Sequence, residues 1–154
     1  FGGKPMPELA LKCIESWKKY LPDYELRLWN EDTFDVNSVP YVKEAYEARK
    51  FAFVTDYVRL WALEKEGGVY MDTDMLLIKP IDEFLDDDMF IGREDQYNAS
   101  MGIIGMTQGN SFCKEIIENA VYLTKDTRHF LINQLIFQFL LVFFTHCVIL
   151  QHEV

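Results

Sequence analysis

The sequence predicts an α/β fold: a single domain with a mostly parallel sheet and helices on both faces. Three observations carry that expectation. Segments with apolar residues every three or four positions alternate with segments of period two. The run from Val69 to Ile78 is apolar except for Asp72, Thr73 and Asp74, and reads as a buried strand. Gly67 and Gly68 separate that run from the helical pattern before it, where a left-handed helix stop belongs.

The elements follow in order. Leu9, Cys13, Trp17 and Leu21 recur every four positions, Ala10, Ile14 and Tyr20 widen the stripe, and Pro22 ends a helix over 8–21. Tyr24 to Trp29 alternates strictly and reads as a half-buried strand. Residues 30–40 are polar and turn-rich, and a short helix follows over 41–50. The next helix, 52–66, places Phe53, Val54, Tyr57, Val58, Trp61 and Ala62 on one face. After the apolar strand, Asp82 caps a short helix through Leu85, and Asp86, Asp87 and Asp88 form a solvated acidic turn. Residues 89–92 and 101–106 read as strands, and Asn110 or Ser111 caps a helix through Leu123.

Residues 1–123 thus make the core, and 124–154 an atypical apolar segment rather than a second domain. Leu131 to Leu150 is long enough to span a bilayer. Asn133, Gln134, Gln138, Thr145 and His146 are costly in lipid, so a buried core helix or an altered chain end is expected ahead of a genuine span. Peripheral contact with a membrane stays open.

The bulk numbers narrow the function. A chain of 154 residues with 49% hydrophobic and 26% charged residues supports one domain with a proper core. A net charge of −10 and the lack of any basic run argue against nucleic acid as a partner. Cys13, Cys113 and Cys147 have no CxxC spacing and read as reduced, packed thiols. His129, His146 and His152 lack zinc-ligand spacing. No leader of basic then apolar residues opens the chain, and a start at Phe1 points to further sequence upstream.

Asp72 and Asp74 are the chemical focus. On an extended strand they share one face and Thr73 takes the other. Unpaired, two buried carboxylates repel and are expensive to desolvate. A hard divalent cation, Mn²⁺ or Mg²⁺, relieves both costs and takes phosphate oxygens to complete its shell. Two unit charges about 4 Å apart interact by roughly 4 kcal/mol at an effective dielectric near 20, so an acidic chain with an ion can hold a phosphorylated ligand. A bare Asp-x-Asp is more often a turn with two solvated aspartates; the apolar strand context argues otherwise. The site also falls where α/β sheets collect ligands, outside the carboxyl ends of the strands. Asp56 and Arg59 lie three apart on the preceding helix and so neighbour each other. An ordinary surface ion pair is the plain reading. Leading directly into the metal strand, the pair also suits sugar hydroxyls, accepting at the carboxylate and donating at the guanidinium.

Phe51 to Leu63, followed by Gly67-Gly68-Val69-Tyr70-Met71-Asp72-Thr73-Asp74, resembles the signature of glycosyltransferase family 32. That family includes bacterial capsule and lipopolysaccharide transferases and fungal mannosyltransferases, and the catalytic domains of clostridial glucosylating toxins are similar. Phe1-Gly2-Gly3, the Trp17 helix, Leu26 to Asn30, Tyr97-Asn98-Ala99 and Gly102 to Gly105 extend the resemblance over about residues 1–123. It implies a GT-A fold, a divalent metal, and transfer from a nucleotide-sugar donor to a glycan or glycolipid acceptor with retention of configuration. By the same resemblance Asp74 binds the metal that bridges the donor diphosphate. Asp72 contacts ribose and sugar and shares the ion, and Asp56 and Arg59 hold the donor sugar. No catalytic nucleophile is assigned. In a bacterial setting the resemblance implies capsule or lipopolysaccharide synthesis in the cytoplasm or at the inner membrane face; in a eukaryotic one, the Golgi lumen.

The chain departs from the family in lacking the opening strand that stacks on the nucleotide base and a later segment containing His and Trp. A truncated, non-catalytic nucleotide-binding copy is therefore the alternative. A phosphatase of the haloacid dehalogenase type is disfavoured, because no Gly-Thr pair follows Asp74.

Overall fold

The computed structural model describes residues 1–3, 5–93, 95–97, 99–124 and 147–152. Its elements are α1 (Glu8–Tyr20), β1 (Tyr24–Trp29), α2 (Pro40–Glu47), α3 (Phe51–Glu66), β2 (Gly68–Met71), a 3₁₀ turn (Asp82–Phe84), β3 (Met89–Arg93), β4 (Ala99–Met106), α4 (Ser111–Thr124) and β5 (Cys147–His152). The helices and strands expected up to residue 123 are present within a few positions of their expected ends, except that the strand expected over 69–78 stops at Met71.

The α/β class and the helices on both faces stand, but the sheet is not mostly parallel. Its strand order is β1-β5-β2-β4-β3, and every described pair is antiparallel. β1 and β2 do run the same way, as the helical crossover between them requires. They are not neighbours, because β5 enters between them and pairs antiparallel with both. β2, β3 and β4 follow one another without an intervening α-helix, so β4 returns against β2 and β3 against β4. Of the stretch 131–150, for which a buried helix or an altered chain end is the expectation, only 147–150 is described, and there the chain is strand, Cys147–His152. Residues 125–146, including His129 and His146, lie outside the described residues, as does Asn98. Among the described residues no helix is long and apolar enough to cross a membrane.

Period two in the strands divides the core between the two faces. Val69 and Met71 of β2 join Cys13, Trp17, Leu21 and Ile81 on the α1 side. Tyr70, between them, joins Val54, Val58, Leu60 and Leu63 on the α3 side. β4 repeats the division, with Ile104 and Met106 facing α3 and Ile103 facing α1.

α3 was expected to bury one stripe. Instead every residue from Val54 to Leu60 is buried, with Ala62 and Leu63. It packs against β2, β4 and β5 as well as α2 and α4, and so is a central helix rather than a surface one. α4 begins as expected: Asn110 Oδ1 accepts from the Phe112 and Cys113 amides at 3.0 and 3.4 Å. The Cys113 thiol donates to the Leu60 carbonyl at 3.0 Å and ties α4 to α3.

Gly67 ends α3 with φ +69°, its amide donating to the Leu63 carbonyl at 2.8 Å. A Cβ there would stand 2.8 Å from the Gln108 backbone nitrogen. Gly67→Ala meets both a left-handed φ and a backbone clash, and we expect it to cost more than about 1 kcal/mol. Urea denaturation checks this; stability equal to the parent chain refutes it.

Candidate functional site

β2 is only four residues long, and its end decides the site. The strand stops at Met71, and Asp72 to Met75 form a turn closed by the Met75 amide donating to the Asp72 carbonyl at 2.9 Å. The two aspartates therefore do not share a strand face as the alternation predicted. Asp72 and Thr73 are buried and Asp74 is exposed. Met75 to Ile78, expected to continue the strand, lie in irregular chain with Leu76 and Ile78 exposed. A strand period holds only while the pairing does: the register ends at Met71, a last bond runs from the Asp72 amide to the Gly102 carbonyl, and the turn follows.

Asp56, Arg59 and Asp72 come together in the core beside it. Arg59 Nη2 lies 2.6 Å from Asp56 Oδ1, and Nη1 is 3.6 Å from Asp72 Oδ1. Nη1 also donates to the Met101 carbonyl of β4 at 3.3 Å. The guanidinium carbon sits 4.5 Å from the centre of the Tyr70 ring. The Tyr70 hydroxyl donates to Asp72 Oδ1. Arg59 has no exposed surface, and Asp56 and Asp72 are each 4% exposed. The plain reading of Asp56–Arg59 as a surface pair is thus excluded. Asp74 stands apart from this cluster, on the solvent side of the turn.

Two carboxylates share one guanidinium here, and their protons respond. Burial pushes Asp56 up to about 7; the Asp72 charge adds to this and Arg59 opposes it. Asp72 is raised too, first by burial, with Arg59 and the Tyr70 hydroxyl pulling down and Asp74 pushing up. Tyr41 is raised by burial and by the Asp56 charge. On the other side of the turn, burial and then the Asp74 charge raise the Cys13 thiol. Cys13 and Cys113 are free and buried, in keeping with packed thiols.

Among the described residues no group of three or more His, Cys, Asp or Glu side chains gathers around one point. An ion in such a place would take one or two carboxylates and complete its shell from ligand phosphate and water. Asp74 presents an exposed carboxylate on the turn, two residues after the buried Asp72. A cavity of about 630 Å³ lies at the opposite end of β2, lined by residues that include Glu66, Gly67, Phe84, Phe90 and Gln108. It holds none of the four candidate residues.

Sequence reasoning missed three contributors. Tyr70 reads as a core aromatic, yet its hydroxyl reaches the motif. The Met101 carbonyl is invisible without the β4 register. The Trp17 indole donates to the Met75 carbonyl at 2.7 Å, a contact across 58 residues. Only Tyr70 carried a signal, standing two positions before Asp72 in the extended chain that leads into the motif.

The model of the glycosyltransferase sugar-binding region containing the DXD motif matches residues 7–91, more than half of the chain. Inositol phosphoceramide mannosyltransferase 3 of Schizosaccharomyces pombe is 26% identical over 118 residues, covering 74% of this chain and 33% of that protein. The initiation-specific alpha-1,6-mannosyltransferase of Candida albicans is 29% identical over 108 residues, 65% of this chain and 28% of the relative. Human alpha-1,4-N-acetylglucosaminyltransferase is 37% identical over 67 residues, 44% of this chain and 18% of the relative. The chain therefore spans a third or less of these curated relatives. No solved structure matches it.

The raised Asp56 proton gives a pH prediction. A carboxyl that holds its proton more tightly when folded than the usual 3.8 favours the fold below about pH 4, and that advantage is lost as pH rises through about 7. We expect Asp56→Asn to flatten this fall, by an amount on the order of a few kcal/mol between pH 5 and 8. Urea melts at both pH values check it, and parallel pH profiles for the two proteins refute it.

Proposed function

The chain belongs to the family of glycosyltransferase sugar-binding regions containing the DXD motif, and on that premise we propose that it carries the donor site of a metal-dependent glycosyltransferase. The reaction moves a sugar from a nucleotide-sugar to a glycan or lipid-linked acceptor with retention of configuration. The proposed fold is of the GT-A type. Two of the relatives are named mannosyltransferases and one an N-acetylglucosaminyltransferase, so a hexosyl donor is the reading to test first. All three relatives are eukaryotic, which favours a Golgi lumen over a bacterial cytoplasm and capsule synthesis.

One observation carries the proposal: an exposed carboxylate, Asp74, is set two residues after a buried one, Asp72, which Arg59 and Tyr70 hold in place. Asp74 holds the ion, and Asp72 faces the ribose and sugar and supports the ion from behind. When bound, Mn²⁺ or Mg²⁺ neutralises charge that develops on the departing diphosphate. Asp56 and Arg59 form the sugar-reading pair. Arg59 is enclosed, so its share is to hold the Asp56 and Asp72 oxygens where donor hydroxyls can donate to them. Such fixed acceptors cost no reorganisation as the sugar becomes cationic. The attacking hydroxyl comes from the acceptor, and no side chain of the chain is assigned as nucleophile.

Calorimetry with a nucleoside diphosphate, with and without Mn²⁺, tests the reading. Asp74→Ala is expected to weaken Mn²⁺-dependent uptake by more than about tenfold while leaving the melting temperature near that of the parent, because Asp74 is exposed and outside the core. Equal affinity in parent and variant refutes the assignment. Turnover of nucleotide-activated mannose or N-acetylglucosamine supports transfer, whereas saturable Mn²⁺-dependent binding without turnover supports the non-catalytic copy.

A further inference from the structure

We infer that Ser16 and Trp17 of α1 are positioning residues for the Asp72–Asp74 turn, latching the chain that leaves it so that Asp74 presents its carboxylate in one direction. The inference rests on the metal reading of Asp74 and adds to it two residues more than fifty positions away in sequence.

Chain leaving a strand end ordinarily keeps its direction through further ladder bonds, and 75–80 has no regular secondary structure. α1 supplies the missing bonds from side chains. The indole of Trp17 is fully buried, is a donor only, and gives its proton to the Met75 carbonyl at 2.7 Å. The Ser16 hydroxyl accepts from the Leu77 amide at 3.0 Å. Its own proton goes to the Cys13 carbonyl at 2.6 Å, which leaves its lone pairs facing Leu77.

The two bonds flank Leu76, and the side chains sort accordingly. Met75, Leu77 and Ile81 pack against the Trp17 cluster while Leu76 and Ile78 face solvent. Asp74 therefore sits between pinned groups. Upstream, the Asp72 amide donates to the Gly102 carbonyl at 2.8 Å, and the Met75 amide returns to Asp72. Downstream, the Met75 carbonyl is held by Trp17. An exposed carboxylate on a loose loop samples many directions; between fixed peptide groups it is preorganised for an ion.

The test uses the full chain and Mn²⁺ alone, with free Mn²⁺ read by electron paramagnetic resonance and amide exchange read by mass spectrometry on the 72–79 segment. Ser16→Ala is expected to speed exchange in that segment and to weaken Mn²⁺ by about fivefold, the factor of one ordinary hydrogen bond. Ser16→Thr, which keeps the hydroxyl, is expected to restore both. Trp17→Phe is expected to act in the same direction and is read only if its near-ultraviolet circular dichroism is native. Unaltered exchange in Ser16→Ala overturns the latch. Faster exchange with unchanged Mn²⁺ affinity, the result of a purely structural contact, overturns its link to Asp74. A parent chain whose Mn²⁺ uptake does not depend on Asp74 overturns the metal reading itself, and the positioning role falls with it.

Discussion

The buried guanidinium of Arg59 is the constraint on which the rest of the structure depends. It lies among Asp56 of its own helix, Asp72 at the end of β2, the Met101 carbonyl of β4 and the face of Tyr70. A charge without exposed surface is tolerable only with good partners, and losing one of them typically costs about 3–5 kcal/mol. That requirement fixes the spacing of three elements at once. α3 must lie over β2 and β4 at the depth where Asp56, three residues before Arg59, the Met101 carbonyl and Asp72 all reach the same cation. Burial, with the neighbouring Asp72 charge adding to it, outweighs the pull of Arg59, which is why Asp56 holds its proton to about 7.

The motif depends on this arrangement. With Asp72 drawn inward by Arg59 and Tyr70, β2 ends at Met71 and the chain turns immediately. The turn sends Asp74 outward, so two residues of one type come to occupy opposite environments. One is a fixed acceptor in a low-dielectric setting and the other is open to an ion. On the far face of the sheet, α1 covers Val69 and Met71 and reaches the chain beyond the turn. The short strand is thereby held from both faces, by ion pairing on the α3 side and by apolar burial with two hydrogen bonds on the α1 side.

Much of this was legible beforehand because it depends on neighbours in sequence. The Trp17 stripe, the strict alternation of Tyr24 to Trp29, the Gly67 stop and the Asn110 cap are local rules acting over a few residues. The Asp56–Arg59 contact follows from helical spacing alone. The strand direction failed for a non-local reason. Alternating helices and strands do make β1 and β2 run the same way, but nothing near either shows that β5 will enter between them from the end of the chain. The alternation drawn through Asp72 and Asp74 failed because a strand period presumes a paired strand, and the pairing gives way to a turn directly after the Asp72 amide.

By itself, the sequence determined which residues are candidates for the chemistry and most of the helices and strands that lead to them. It also singled out Asp56, Arg59, Asp72 and Asp74 as candidates, since spacing and motif are properties of the chain. Only the tertiary structure decided which carboxylate is enclosed and which faces water. It alone decided that Tyr70 and Met101 complete the Arg59 cluster, and that α1 lies against the motif. Burial and pairing across long sequence separations depend on how the faces of distant elements meet, and no window of neighbouring residues contains that information.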